Sequence, residues 1–266
     1  MDLYNLISEA GRYCIRFYKK NDNLLYKSDK KIPSCVVNGI KDYEDQILRI
    51  LNRFEGHSVS LCPLSYNQQS MWFSYFLNPD STSYNVAIPI HITDKLDITT
   101  TLSTIQAMVN RFDQLRTIFD LPGENYNIPV QLILDEVKTD IIIIDSYSAD
   151  NSQTIDSLHA FYKKPFNINS APSFRVLIQS NSSTDHYILF VFHHIIIDAF
   201  SVGIFLKNFE MFFLKQINPQ NNCNSYSDFV FLQQEYIKNH GEKDLSFFKN
   251  NLSNGTYSIP VNNNNN

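Results

Sequence analysis

Apolar residues recur along this chain with two periods, and the change from one to the other marks its elements. Near the start, Leu3, Leu6, Ile7 and Ala10 fall at helical spacing, with Gly11 where a C-terminal cap would sit. Cys14-Ile15-Arg16-Phe17-Tyr18 then alternates as a strand does, Lys20-Asn21-Asp22-Asn23 carries turn chemistry, and Leu24-Leu25-Tyr26-Lys27 returns as a second strand. Pro33 and Gly39 make residues 32–39 read as a loop. Residues 42–53 predict an amphipathic helix with Tyr43, Ile47, Ile50 and Leu51 on one face. Residues 54–63 break that pattern at Glu-Gly-His-Ser, and Pro63 discourages its restart. We read a seam there.

Beyond the seam, helices and strands alternate. Helical spacing covers residues 64–76, 98–111, 156–163 and 198–214. Strand patterns cover 85–92, 130–134, 141–144, 174–179 and 187–194. The last is a run of Ile, Leu, Val and Phe suited to a sheet interior. The fold class expected is therefore α/β, or α+β, in layers.

Composition narrows the picture. The 266 residues are 43% apolar, which argues for a packed core and against wholesale disorder. No stretch reaches the roughly 20 apolar residues of a membrane helix, and no basic segment precedes an apolar run at the N-terminus. Cys14, Cys35, Cys62 and Cys223 are scattered without paired spacing, so zinc and a disulfide framework are poor readings and a reducing cytoplasm fits. A net charge of −5 disfavours nucleic acid as a partner, and 7 glycines without a phosphate-binding loop disfavour nucleotides.

Charge is unevenly spread. Residues 1–53 hold 10 basic and 7 acidic side chains, a net of +3, so the remainder carries −8. Between Arg12 and Lys31 there are 7 basic and 2 acidic residues. Such a patch is either a solvated hairpin surface or an exposed basic sheet edge able to receive an acidic, extended peptide.

The segment richest in chemistry is Val191-Phe192-His193-His194-Ile195-Ile196-Ile197-Asp198-Ala199. Neighbours on a strand face opposite ways, so only one of the two histidines can enter a given cleft. That arrangement, and the lack of a third ligand, makes a two-histidine-one-carboxylate metal site a poor reading. Core histidines beside a helix-capping aspartate, or acyl transfer with one catalytic histidine, remain open.

The order of motifs favours acyl transfer. His193-His194-Ile195-Ile196-Ile197-Asp198-Ala199 resembles the HHxxxDG signature of nonribosomal peptide synthetase condensation domains. Upstream, Leu64-Ser65-Tyr66-Asn67-Gln68-Gln69-Ser70-Met71-Trp72-Phe73 resembles their first motif. Arg111-Phe112-Asp113-Gln114-Leu115-Arg116-Thr117-Ile118-Phe119 resembles the second, with Phe112 and Asp113 in place of His and Glu. Tyr226-Ser227-Asp228-Phe229 resembles the fourth, and Ser173-Phe174-Arg175-Val176 a strand that usually carries Leu-Arg. The resemblance implies a chloramphenicol acetyltransferase-like fold of two lobes around a tunnel, in which two carrier-tethered thioesters meet and an amide forms.

On that resemblance His194 is the catalytic residue in the tunnel, taking the amine proton or holding the amine in attack geometry. His193 supports the loop, and Asp198 is ion-paired to Arg116, Arg111 or Arg175. No cofactor or metal is bound directly, and substrates arrive on phosphopantetheine arms of donor and acceptor carrier proteins. Ala199 stands at the motif's glycine, where a positive φ would make alanine costly by about 1 kcal/mol.

The first 55 residues resemble the helix–hairpin–helix docking domains of the TubC type, on the helix ending at Gly11, the two strands and the helix from Asp42. That resemblance implies recognition of an acidic C-terminal tail of an upstream synthetase, read by Arg16, Lys19, Lys20, Lys27, Lys30 and Lys31. The expected organisation is a docking domain at 1–55 and an N-terminal condensation lobe at 58–266, with a second lobe lying outside this chain. A non-catalytic docking or scaffold fragment, and an epimerising or acyl-CoA-dependent relative, are the rival readings.

Overall fold

The computed structural model describes residues 1–123, 126–146, 151–170, 172–216, 225–253 and 255. Its first helix, α1 (Leu3–Arg12), starts at Asp2, whose side chain accepts from the Asn5 N–H at 2.8 Å. The helix runs through Gly11 and ends at Tyr13, with Cys14 in the left-handed region at φ 51°. The Cys14 and Ile15 N–H groups then donate back to Gly11 and Ala10 at 2.9 Å each, a Schellman closure. Gly11 is therefore not the cap. It is needed for packing, because a Cβ there would stand 2.7 Å from the Phe231 ring.

The hairpin forms as expected. Strands β1 (Arg16–Lys20) and β2 (Asn23–Lys27) pair in register Lys20↔Asn23, leaving Asn21 and Asp22 at φ 49° and 61°. Two left-handed residues in sequence make the turn that suits the strands' twist, and Asn and Asp adopt it more readily than most side chains. Residues 32–39 are a correction. They belong largely to α2 (Ser34–Asp42), which buries Val36, Gly39 and Ile40. Gly39 lets the Leu6 and Met1 side chains close on the helix, a tertiary reason that spacing alone does not reveal. Helix α3 (Glu44–Asn52) follows and buries Ile47, Ile50 and Leu51.

The expected seam contains a second correction, strand β3 (Val59–Pro63). After it come α4 (Tyr66–Leu77), β4 (Asn85–Ile92), α5 (Ile98–Arg111), a 3-10 turn at Asp113–Arg116, and β5 (Thr117–Asp120), a strand that periodicity does not reveal. Then follow β6 (Val130–Leu134), β7 (Asp140–Asp145), α6 (Asn151–Tyr162), β8 (Phe174–Ser182), β9 (Asp185–His193), α7 (Ala199–Phe213) and α8 (Tyr226–Leu252).

Two sheets organise these elements. One is fully antiparallel in the order β2-β1-β3-β6-β5, and the other runs β4-β9-β8-β7 with only the β7–β8 pair parallel. The first sheet joins the two halves of the chain, through Arg16↔Ser60 and Phe17↔Val59. Its core does the same, gathering Ile7, Phe17 and Ile47 with Leu61, Ile118 and Leu132. Folding thus ties residues 1–55 to the rest through a sheet and a core, with only the turn around Gly56 between them.

The second sheet is sandwiched. On one face Phe174, Phe190 and Phe192 meet Phe205 of α7, with Phe190–Phe205 and Phe192–Phe205 centroids both 5.1 Å apart at steep angles. On the other face Arg175 lies against Phe161 of α6, and Asn181 bonds Thr154. Strand β9 is buried along nearly its whole length, and its C-terminal end delivers the two histidines.

Candidate active site

The site is built where β9 gives way to α7. His193 is the last strand residue and is fully buried, ringed by Tyr75, Tyr84 and Phe166 with centroids 5.8–6.3 Å away. Its backbone N–H donates to Ser173 at 2.9 Å, and its Nδ1 accepts from the Ile195 N–H at 3.1 Å. Burial, and then the charge of neighbouring His194, push its pKa down to about 4, so the ring is neutral at physiological pH. A neutral acceptor nitrogen is what the Ile195 N–H requires.

His194 lies just past the strand and is half-buried. Its N–H extends the ladder by donating to Tyr84 at 2.8 Å, which fixes the backbone under the ring. Its Nδ1 is buried without a hydrogen-bond partner among the described residues. The two histidines thus differ in kind, one a buried structural acceptor and the other a half-open ring.

Asp198 does not make the ion pair expected of it. It is exposed and caps α7, accepting from the Ser201 hydroxyl at 2.7 Å and the Ser201 N–H at 2.8 Å. Those bonds, with His194 as a lesser cause, hold its carboxyl below the usual range. Solvent and a helix terminus satisfy the charge, so no arginine is needed. Arg116 is instead buried beneath the end of α5, donating to the Val109 and Asn110 carbonyls and pairing with Asp113 at 2.6 Å. Arg175 donates to the carbonyls of Phe161, Tyr162, Lys164 and Pro165, and its guanidinium lies 3.9 Å above the Phe166 ring. Through Phe166 it backs His193, while desolvation lowers its pKa to about 10. Arg111 lies over the Phe112 and Phe212 rings.

Ala199 opens the first turn of α7 and is not among the left-handed positions, so the missing glycine costs no backbone strain. Trp72 is buried in α4 as expected, stacked on Phe76. Cys62 is buried and its thiol is pushed up to about 12, mainly by desolvation, so it is a poor nucleophile. Cys223 and residues 262–266 lie outside the described residues. Among those described, no group of three His, Cys, Asp or Glu side chains could hold a metal ion, and no helix is long and apolar enough to cross a membrane.

Sequence reasoning missed a chain of buried amides beneath the histidines. Gln131 Nε2 donates to the Pro63 carbonyl at 2.8 Å, and Gln114 Nε2 donates to Gln131 Oε1 at 3.0 Å. Gln68 Nε2 reaches Gln114 Oε1 at 3.1 Å and the Ile195 carbonyl at 3.2 Å. Gln68 Oε1 accepts from the Ser65 N–H, closing the capping box of α4. The Ser225 hydroxyl bonds Asp113 and the Tyr226 hydroxyl bonds Ser65, fastening the start of α8 to the same cluster. Four motifs far apart in sequence therefore converge on one polar cluster. Gln68 and Gln114 were visible in their motifs, but only tertiary contact pairs them.

This convergence matches what comparison finds. A family model described as "Condensation domain" matches residues 60–265. The chain belongs to that family, the condensation domains of nonribosomal peptide synthetases. It is similar to a linear gramicidin synthase of Brevibacillus parabrevis, 31% identical over 206 residues that span 72% of this chain and 4% of the relative. Surfactin synthase subunit 1 of Bacillus subtilis (strain 168) is 29% identical over 181 residues, covering 66% of this chain and 5% of the relative. Among solved structures, the starter condensation domain of rhizomide synthetase matches with a TM-score of 0.64 at 17% identity, over 74% of this chain and 48% of that one. A four-domain nonribosomal peptide synthetase bound to AMP and glycine matches at 0.63 and 23% identity, over 78% and 16%. The condensation domain fold, chloramphenicol acetyltransferase-like in its mixture of sheets and helices, is thereby shown.

The hairpin presents its basic side chains unevenly. Arg16, Lys20, Lys27 and Lys31 are exposed, and Lys31 lines a shallow groove of about 610 Å³ with Ile32, Pro33 and Val37. Lys19 is held by Asn52 at 2.9 Å and Asp22 at 2.8 Å, and Lys30 by the Arg12 carbonyl at 2.7 Å. Strand β2 is an outer strand of its sheet.

Proposed function

We propose that this chain is the donor-side part of a condensation enzyme joining carrier-bound aminoacyl or peptidyl thioesters through an amide bond. The acceptor amine attacks the thioester carbonyl, the new C–N bond replaces the C–S bond, and the thiol leaves on its carrier arm. His194 presents an imidazole nitrogen to the amine, as base or as orienting acceptor. The observation that supports this most is the division of labour between the histidines. His193 is buried, neutral and engaged with Ile195, whereas His194 is half-open on a backbone pinned to Tyr84. The test is His194→Ala in the protein as its gene encodes it, assayed with loaded donor and acceptor carriers. Amide formation should fall by about 100-fold or more. A wild-type rate would remove the assignment.

The free edge of β2 favours a second role for residues 1–55, docking to the acidic C-terminal tail of an upstream synthetase. An extended peptide adds to such an edge through main-chain bonds, and Arg16, Lys20 and Lys27 supply charge beside it. Titration with acidic C-terminal peptides should show binding that weakens as salt rises. Absence of binding at low salt would end this reading.

A further inference from the structure

We propose that Gln68 is a positioning residue for the histidine loop, acting through the carbonyl of Ile195. The inference rests on the functional reading of His194 and deepens it. Ile195 is held at both of its backbone groups, its N–H by His193 Nδ1 at 3.1 Å and its carbonyl by Gln68 Nε2 at 3.2 Å. Its N–H belongs to the peptide unit that follows His194 and its carbonyl to the next unit, so holding both fixes the Ile195 backbone and with it the course of the chain as it leaves His194. No other described side chain donates to this carbonyl.

The chain of amides has a polarity that explains why glutamine serves here. Pro63 and Ile195 offer carbonyls, which only accept, while the Ser65 N–H only donates. Gln68 must accept on one oxygen and donate twice from one nitrogen, and an uncharged amide of that length does both. Gln131 and Gln114 relay the same direction inward from Pro63, so none of the three amides can flip without setting oxygen against oxygen. Gln68 is 2% exposed and Gln131 0%, so water does not compensate for a broken link.

Glutamate at this position separates positioning from helix capping. It keeps an oxygen for the Ser65 N–H and the length of the side chain, and loses only the donors toward Ile195, Gln114 and, at 3.5 Å, Gln131. In Gln68→Glu, kcat for amide formation should fall about 100-fold with KM nearly unchanged, the size expected when a reacting group is displaced by about an ångström. The ratio of variant to wild-type kcat should recover as pH is lowered from about 9 to about 6. Burial raises the carboxyl pKa, and its protonated form restores one donor. A merely structural glutamine would lower Tm without that pH-dependent recovery. His194→Ala is run in parallel. If it is inactive while folded Gln68→Glu keeps wild-type kcat throughout the pH range, the positioning role fails and the catalytic reading stands. If His194→Ala is fully active, the catalytic reading itself fails. On the unaltered chain, the Gln68 side-chain amide protons should exchange slowly and show nuclear Overhauser contacts to Ile195, whatever the folding of the variants. Fast exchange without such contacts would overturn the proposal.

Discussion

The end of β9 and the edge of β2 are two ways of placing polar groups, and they differ in what holds them. At β9 the polar groups that hold the histidine loop are buried against specified partners. His193 faces Ile195 and Gln68 faces Ile195 from the other side, while Arg175 backs Phe166. At β2 the groups are charged and exposed, and two of six basic side chains are already engaged within the hairpin unit. Buried polar groups cost much when orphaned, whereas exposed charges are exchanged at little cost. The first region should therefore break sharply when altered, and the second should change gradually.

Acid gives the largest expected contrast. The unfolded chain protonates His193 near 6.5, but the folded chain resists until about 4. Stability is then whole above pH 6.5 and is lost as pH falls toward 4, by about 3 kcal/mol in all. Denaturant titrations across that window should show this loss, and His193→Asn, which keeps an acceptor for Ile195, should flatten it. An unchanged slope in the variant would mean that His193 is not the responsible group.

Asp198 gives an intermediate effect and tests the cap. As a cap on α7, its replacement in Asp198→Ala should lower stability by about 1 kcal/mol, whereas breaking a buried ion pair would cost about 3–5 kcal/mol. Thermal unfolding distinguishes the two, and the larger loss would restore the arginine partner. The hairpin should give the smallest effect. Lys27→Glu should move stability by no more than about 0.5 kcal/mol, yet weaken an acidic peptide measurably at low salt. Equal binding by both forms would detach the basic patch from docking.

Legibility from sequence followed the range of the interactions. The hairpin turn, α5 and β9 were readable because their determinants lie within a few residues, as Asn21-Asp22 do, whereas the cap on α7 stood only as the rival to an ion pair at Asp198. Strand β3 reads as a break, because five residues containing Ser and Pro carry little periodicity and its partners are remote. Helix α2 is hidden by Gly39, whose reason is the approach of Leu6 and Met1. An arginine partner for Asp198 follows from an expectation of burial, and the fold exposes that residue instead.

The order of motifs along 266 residues was enough to determine the family, because each motif is local and their sequence spacing is retained without any contact being known. Local chemistry also determined which groups could cap helices and turn strands. What only the tertiary structure decided was which of those groups meet. It made His193 a neutral acceptor, sent Arg116 and Arg175 to backbone carbonyls, and set Gln68 against Ile195. The physical reason is that a buried polar group's role depends on partners brought near by the fold, across separations that no local pattern encodes.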